Sequence, residues 1–388
     1  MKTRVSTNIK QLFQLDPDIH FLNHGSFGAC PKPVFDVYQE WQRELEKRPV
    51  EFLDRKFKSN MQVSREALGA YLNCSGEDLV YFTNPTTAIN MLARSLDLNP
   101  GDQILTSDHE YGAMDRTWNY ICGLSGAEYI HQPIPIPVST HEDFVDSFWQ
   151  GVTPRTKIIF LSHITSQTAL EFPVKEICRR AREQGILTII DGAHAPGQIK
   201  VDLSDIGADF YTGACHKWLC APKGSAFLYA RREHQHRLDP LVVSWGYQAE
   251  QPGPSQFIDY HEWQGTRDIS AFLSVPSAIQ FQEDHQWESV RVQANQLVRQ
   301  ARSALNALSG KPPLSPEDQG WFRQMAAVGL PEVDIAALKS RLYTEYKVEV
   351  PVYYWNKRPM LRVSIQGYNN ETDVQALLDG IGNLLPEL

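Results

Sequence analysis

Between about residues 60 and 230, short apolar runs alternate with stretches whose apolar positions recur at helical spacing. The runs at residues 80–83, 104–106, 157–162, 187–190, 209–212 and 224–229 read as strands. Between two of them, residues 174–184 form a helical pattern that stops at Gly185, which completes a strand–helix–strand unit. Repetition of that unit predicts an α/β fold, with a mainly parallel sheet covered by helices on both faces. Residues 238–267 carry Pro240, Gly246, Pro252, Gly253, Pro254 and Gly265, so a long loop is expected there. Beyond it the pattern is helical from 277 to 308 and then breaks at Pro312, Pro313 and Pro316. A smaller α+β unit follows: a helix at 333–346, strands at 347–352 and 360–365, and a last helix at 372–385.

A chain of 388 residues exceeds what one core usually supports, so a large and a small domain are expected. The net charge of −9, with no dense run of Lys and Arg, argues against a nucleic-acid partner. No segment approaches the roughly 18 uninterrupted apolar residues of a membrane span, and residues 1–18 lack the apolar core of a secretion signal. A cytoplasmic protein without a membrane partner is the expectation. Six cysteines, at 30, 74, 122, 178, 215 and 220, have no paired short spacings. They read as reduced thiols, with neither a disulfide framework nor a metal site.

Four features carry candidate chemistry. Asn84, Pro85, Thr86, Thr87 and Ala88 follow a strand and open a helix, where free N–H groups, hydroxyls and the helix dipole suit a phosphate. Asp191 ends the 187–190 strand, beside small Gly192 and Ala193, and can hold a proton on a ring nitrogen. Lys217 follows the 209–212 strand by a short loop and is a candidate amine nucleophile and base. Arg362, on a strand of the small domain, can grip a substrate carboxylate through two parallel hydrogen bonds, with Arg267 as its rival. Together they meet the needs of an aldehyde cofactor with a phosphate tail and a pyridine ring. No glycine-rich dinucleotide fingerprint follows a strand, which sets a nicotinamide enzyme aside. Singly, each residue is as easily a cap, a turn or a solvated loop residue, and the joint pattern is what carries weight.

The sequence resembles the class V aminotransferase-fold enzymes, in particular the isopenicillin N epimerase-like group. The matching segments are residues 21–29 (FLNHGSFGA), 84–90 (NPTTAIN), 108–113 (DHEYGA), 162–169, 191–197 (DGAHAPG), 215–222 (CHKWLCAP) and 265–268 (GTRD). The likeness spans nearly the whole chain, and its specificity lies in the order and spacing of these segments. It implies the aspartate-aminotransferase-like fold (fold type I), with a central seven-stranded sheet and a smaller α+β C-terminal domain. The division expected is an N-terminal arm packing on the small domain (1–20), a large domain that binds pyridoxal 5′-phosphate (PLP) (21–270) and the small domain (271–388).

By the same resemblance Lys217 is similar to the family's Schiff-base lysine, Asp191 to its pyridinium partner, and Thr86 and Thr87 to its phosphate cup. His216 would assist the phosphate, and Thr266 would reach the phosphate of a neighbouring subunit, which implies a homodimer with shared sites. His194 takes the place that contacts the cofactor's phenolic oxygen. A ring-stacking group is expected from residues 108–113, with Tyr111 favoured over His109. His24 and Ser26 are candidates for the substrate entrance and equally for turn residues around Gly25. Where many relatives have a phosphate-binding serine three residues before the lysine, this chain has Ala214.

The substrate implied is an amino acid or amino-acid derivative that loses its α-proton. Epimerisation is the reaction suggested by the group resembled, with β-elimination from a cysteine-type substrate nearly level and transamination behind. A persulfide-forming cysteine desulfurase is excluded: it needs a thiol in the carboxy-terminal part, and there is no cysteine after Cys220. A binding module without turnover fits less well, because Arg362 is present and no DNA-binding domain is visible.

Overall fold

The computed structural model describes residues 9–317 and 320–388, so the first eight residues of the expected arm lie outside the described residues. Seven strands form one sheet in the order Leu79–Phe82, Ala226–Ala230, Phe210–Ala214, Leu187–Gly192, Thr156–Ser162, Gln103–Ser107, Glu128–Gln132. Ala226–Ala230 runs antiparallel to both neighbours and every other pairing is parallel. Side chains alternate between the two faces of a strand, and here both faces are apolar, which is why the sequence shows continuous runs. Val80, Phe82, Ile158, Phe160, Ile189, Phe210 and Leu228 meet the helices Pro85–Ser95 and Gly112–Ser125. Tyr81, Ile159, Leu161, Ile190, Tyr211 and Phe227 share the other core with the helices Phe57–Leu72 and Val174–Glu183.

A second sheet is antiparallel, ordered Val352–Trp355, Arg358–Ser364, Met325–Gly329. The helices Trp287–Ser309, Ile335–Tyr346 and Glu371–Leu384 back it. Residues 9–21 lie against this unit. His20–Phe21 pairs with Val348–Glu349, the Phe13 ring lies 4.9 Å from that of Tyr368, and His20 Nδ1 is 2.7 Å from Asp373 Oδ1.

Three local expectations change. The strand read at 347–352 divides before Pro351, which has no N–H to continue a ladder. Its first part, Val348–Glu349, pairs with His20–Phe21 and its second, Val352–Trp355, joins the other sheet. The helical run at 277–308 breaks at Gln286, whose φ of 52° ends Val275–Asp284 before Trp287–Ser309 begins. The expected loop at 238–267 contains the helix Gln256–Glu262, capped by Ser255 Oγ on the Ile258 N–H and anchored by buried Phe257. No helix among the described residues is long and apolar enough to cross a membrane.

Two glycines bring the lysine loop into place. A Cβ on Gly28, at φ 67°, would lie 2.0 Å from His216 O and 2.9 Å from Lys217 Cα, and one on Gly197, at φ 90°, would lie 2.2 Å from Trp218 C and O. Neither position admits a side chain, so the 21–29 and 191–197 segments close directly on residues 216–218.

Candidate active site

The carboxyl ends of the parallel strands converge on one cleft, as open α/β sheets arrange their ligand sites. Asp191 pairs in register with Ser162 on one side and Thr212 on the other. Its carboxylate is buried and accepts the Ala193 N–H at 2.9 Å. Burial pushes its pKa up, while that hydrogen bond and the Lys217 charge pull it down. Lys217 keeps partial exposure to the cleft. Enough protein nevertheless surrounds Nζ that burial, helped by the Arg362 charge and opposed by Asp191, brings the amine down to about 8. This is the environment that makes a lysine nucleophilic near neutrality.

His194 is buried, with Nε2 3.2 Å from Lys217 Nζ and Nδ1 accepting the Trp218 indole N–H at 3.3 Å. Burial and the neighbouring Lys217, Arg362, His216 and His24 hold its pKa well below the usual value. His24 is fully buried and joins Tyr368 Oη (2.9 Å) to the Lys217 carbonyl (3.0 Å). It therefore supports the lysine loop from behind.

Arg362 enters from the second sheet. Its Nη1 donates to Ser166 O (2.5 Å) and Ser166 Oγ (3.1 Å), and Nη2 to Ser26 Oγ (3.1 Å). Arg362 is 4% exposed, yet among the described residues Nε has no partner and no carboxylate pairs with the group. A buried cation with a spare donor suits an incoming carboxylate. The rival Arg267 is committed elsewhere: it donates to Gln264 Oε1 and Glu262 O and stacks 5.0 Å over Phe272.

At the anion end, Asn84 Oδ1 caps the helix Pro85–Ser95 by accepting the Thr87 N–H at 2.9 Å and the Thr87 hydroxyl at 3.1 Å. Thr86 and Thr87 are both partly exposed. Ala214 is buried and brings no hydroxyl. His216 Nδ1 lies 2.9 Å from the Ser225 carbonyl and must donate to it. Its Nε2 is thus an acceptor in the neutral ring and can donate to a phosphate only in the charged form, which burial disfavours by taking the pKa down to about 4.

The two ring-stacking candidates separate. His109 is fully buried, held by Thr168 Oγ1 (2.8 Å) and Ile134 O (3.4 Å) and packed 4.6 Å from the Trp355 ring. Tyr111 precedes the helix Gly112–Ser125 and is 47% exposed. Only Tyr111 has a ring face to offer. Thr266 is exposed and lines a different cavity of about 1170 Å³ with Val50, Phe57, Trp245 and Trp263, none of them part of the Lys217 group.

Two participants escape sequence reasoning. Trp218 is one; Glu110 is the other. Glu110 Oε2 accepts the Ser162 N–H (3.1 Å) and hydroxyl (2.5 Å) and Oε1 accepts the Ser107 hydroxyl (2.7 Å). It is 2% exposed, and its pKa rises to about 7, mostly through burial, with Asp191 adding to the rise. A Glu inside a motif gives no sign of such a carboxyl one strand from Asp191.

The donor set fits an aldehyde cofactor: an amine of lowered pKa, a carboxylate able to hold a ring proton, and a hydroxyl-bearing helix start. The comparisons agree. Residues 28–377 match the family Aminotransferase class-V. The chain is 35% identical to an isopenicillin N epimerase of Amycolatopsis lactamdurans over 97% of this chain and 98% of that one. It is 29% identical to a probable chloroplastic L-cysteine desulfhydrase of Arabidopsis thaliana, over 95% and 84% of the two lengths. The fold matches an apo cysteine desulfurase from Thermococcus onnurineus NA1 with a TM-score of 0.83 at 17% identity, covering 99% of both chains. The chain therefore belongs to the class V aminotransferase family, as an enzyme of fold type I that works with pyridoxal 5′-phosphate and is similar to the isopenicillin N epimerases.

Proposed function

We propose that this enzyme is an amino-acid epimerase that carries its cofactor on Lys217 and inverts the α-carbon of an amino acid or amino-acid derivative. The observation that carries the reading is the Lys217 amine, held 3.2 Å from His194 Nε2 and brought down to about 8 by burial, with the charges of Arg362 and Asp191 acting on it. When bound, pyridoxal phosphate supplies an electron sink for the α-carbon, which acidifies its proton. Asp191 would hold the proton on the ring nitrogen. Thr86, Thr87 and the N–H groups of their helix would hold the phosphate, Tyr111 would cover the ring, and His194 would donate to the phenolic oxygen. Arg362 takes the substrate carboxylate with Nε and an Nη group, which loosens from Ser26 or Ser166. Lys217 Nζ would receive the α-proton on its own face, a proton from solvent would be added on the opposite face to give the epimer, and Lys217 would return its proton to solvent.

The same reading divides the chain into the arm (1–20), the cofactor-binding domain (21–270) and the closing domain (271–388). It also makes the protein a homodimer. Trp245, Val243 and Val50 are 87%, 68% and 66% exposed, an apolar surface suited to a second copy. Thr266 beside it would then reach the partner's phosphate.

Epimerisation is favoured by the greater likeness to the epimerase, 35% against 29% for the desulfhydrase. The second reading, β-elimination from a cysteine-type substrate, is kept open by that desulfhydrase likeness over 95% of the chain. Persulfide formation is not proposed. No cysteine follows Cys220, and burial raises the thiols of Cys215 and Cys220 out of the nucleophilic range.

The test is incubation of holoenzyme with L- and D-amino acids and cysteine conjugates in D2O. Chiral analysis should show interconversion with deuterium at the α-carbon and no pyruvate. Pyruvate with thiol would replace the epimerase by the lyase. Keto acid formed with amine transfer to the cofactor would replace both.

A further inference from the structure

We infer that Trp218 is a positioning residue: its indole N–H, 3.3 Å from His194 Nδ1, locks the His194 ring in the Nε2–H tautomer and so presents a fixed donor beside Lys217 Nζ. This rests on the reading of Lys217 and His194 as the groups that face the cofactor. Indole N–H can only donate, so His194 Nδ1 must accept. The charged ring is excluded, because it would carry a hydrogen on Nδ1, and because burial and the surrounding Lys217, Arg362, His216 and His24 oppose it. The neutral ring with its hydrogen on Nδ1 would set two N–H groups face to face inside the protein. Trp218 is fully buried, and an indole N–H left without an acceptor there disfavours that form by roughly tenfold or more. Only the Nε2–H form remains.

The framework is rigid around both rings. The Trp218 carbonyl accepts Gln282 Nε2 at 2.8 Å, the His194 carbonyl accepts Gln198 Nε2 at 2.8 Å, and the His24 ring lies 4.8 Å from the Trp218 indole.

Two consequences follow at Lys217. An ammonium has no lone pair, so the Nε2–H at 3.2 Å is accepted only by the free amine. The relay thus selects the reactive form of the lysine in the cofactor-free protein. In the holoenzyme, the cofactor's hydroxyl is adjacent on the ring to its aldehyde carbon, so the same N–H is the donor available to the phenolic oxygen.

The experiment uses protein labelled with 15N-histidine, with the His194 signals assigned by difference from His194→Gln. In the cofactor-free wild type at pH 9, above the value of about 8 for Lys217, His194 should show a protonated Nε2 and an unprotonated Nδ1. In Trp218→Phe, which removes the N–H and keeps an aromatic ring, the Nδ1–H form should become populated. The pH at which the visible band of the reconstituted enzyme interconverts should move, and kcat should fall more than KM rises. A hydrogen on Nδ1 in the wild type overturns the proposal whether or not the variant folds. So does a Trp218→Phe protein with the wild-type tautomer and the wild-type spectral titration. Failure of the cofactor reading would show separately, as no visible band in the wild type on adding pyridoxal phosphate.

Discussion

Glutamine at position 110 tests the electrostatics behind Asp191. Glu110 is 2% exposed, and burial outweighs its three hydrogen bonds to leave the pKa at about 7 against an ordinary 4.5. Below pH 4.5 the carboxyl is protonated folded or unfolded, and it does not alter stability. As pH rises from 4.5 to 7 the unfolded chain releases this proton while the folded protein keeps it. Stability therefore falls across that window and stays reduced above it. The shift corresponds to about 3 kcal/mol. Glu110→Gln keeps the shape: its oxygen can accept the Ser162 N–H, and its amide can donate to Ser107 Oγ once that hydroxyl turns. Having no proton to release, it escapes the loss. Urea unfolding of the cofactor-free wild type and variant at pH 4.5, 6 and 8 should show the variant gaining on the wild type by about 3 kcal/mol between the ends of the series. A constant difference, or one that favours the wild type at pH 8, would refute the reasoning. It would mean that the two hydroxyls and the Ser162 N–H outweigh burial and keep Glu110 ionised.

Arg362→Gln removes the buried cation and should raise KM by roughly 100-fold, the scale of one charge-assisted pair, with a smaller change in kcat; an unchanged KM would pass the carboxylate role to another group. Thr266→Ala should weaken cofactor binding about tenfold, as loss of one phosphate hydrogen bond. Mixed with Lys217→Ala subunits, it should regain one tight cofactor site per hybrid dimer, because each site would take its lysine and its Thr266 from different chains. No recovery on mixing would place Thr266 outside a shared site.

The parallel sheet was legible because strands buried on both faces read as apolar runs, as at Ile158, Ile159, Phe160 and Leu161. Glu128–Gln132 was not: it is the edge strand, and its half-exposed Glu, Tyr, Ile, His and Gln show no such run. Met325–Gly329 was hidden by small residues of low strand propensity, and its place is set by pairing with Arg358–Ser364. At the site, Arg362 lies on the strand Arg358–Ser364 of the second sheet as its apolar neighbours suggested, and the placing of Asp191 at the end of Leu187–Gly192 and of Lys217 just after Phe210–Ala214 was legible from the strand pattern. The choice between His109 and Tyr111 was not, since it depends on Thr168, Ile134 and Trp355, which reach His109 only in the folded chain. The roles of Trp218 and Glu110 are invisible in sequence for the same reason: the direction of a hydrogen bond and the depth of burial are tertiary properties.

The central claim is that Lys217 carries the cofactor, and mapping the attachment point is its most direct test. The purified enzyme, saturated with pyridoxal phosphate and reduced with borohydride, should lose its visible band. Peptide mass spectrometry should then find the pyridoxyl group on Lys217, and Lys217→Ala should acquire none. Attachment to another lysine such as Lys223, whose Nζ lies 3.1 Å from the Gly28 carbonyl, or labelling that persists in Lys217→Ala, would contradict the account.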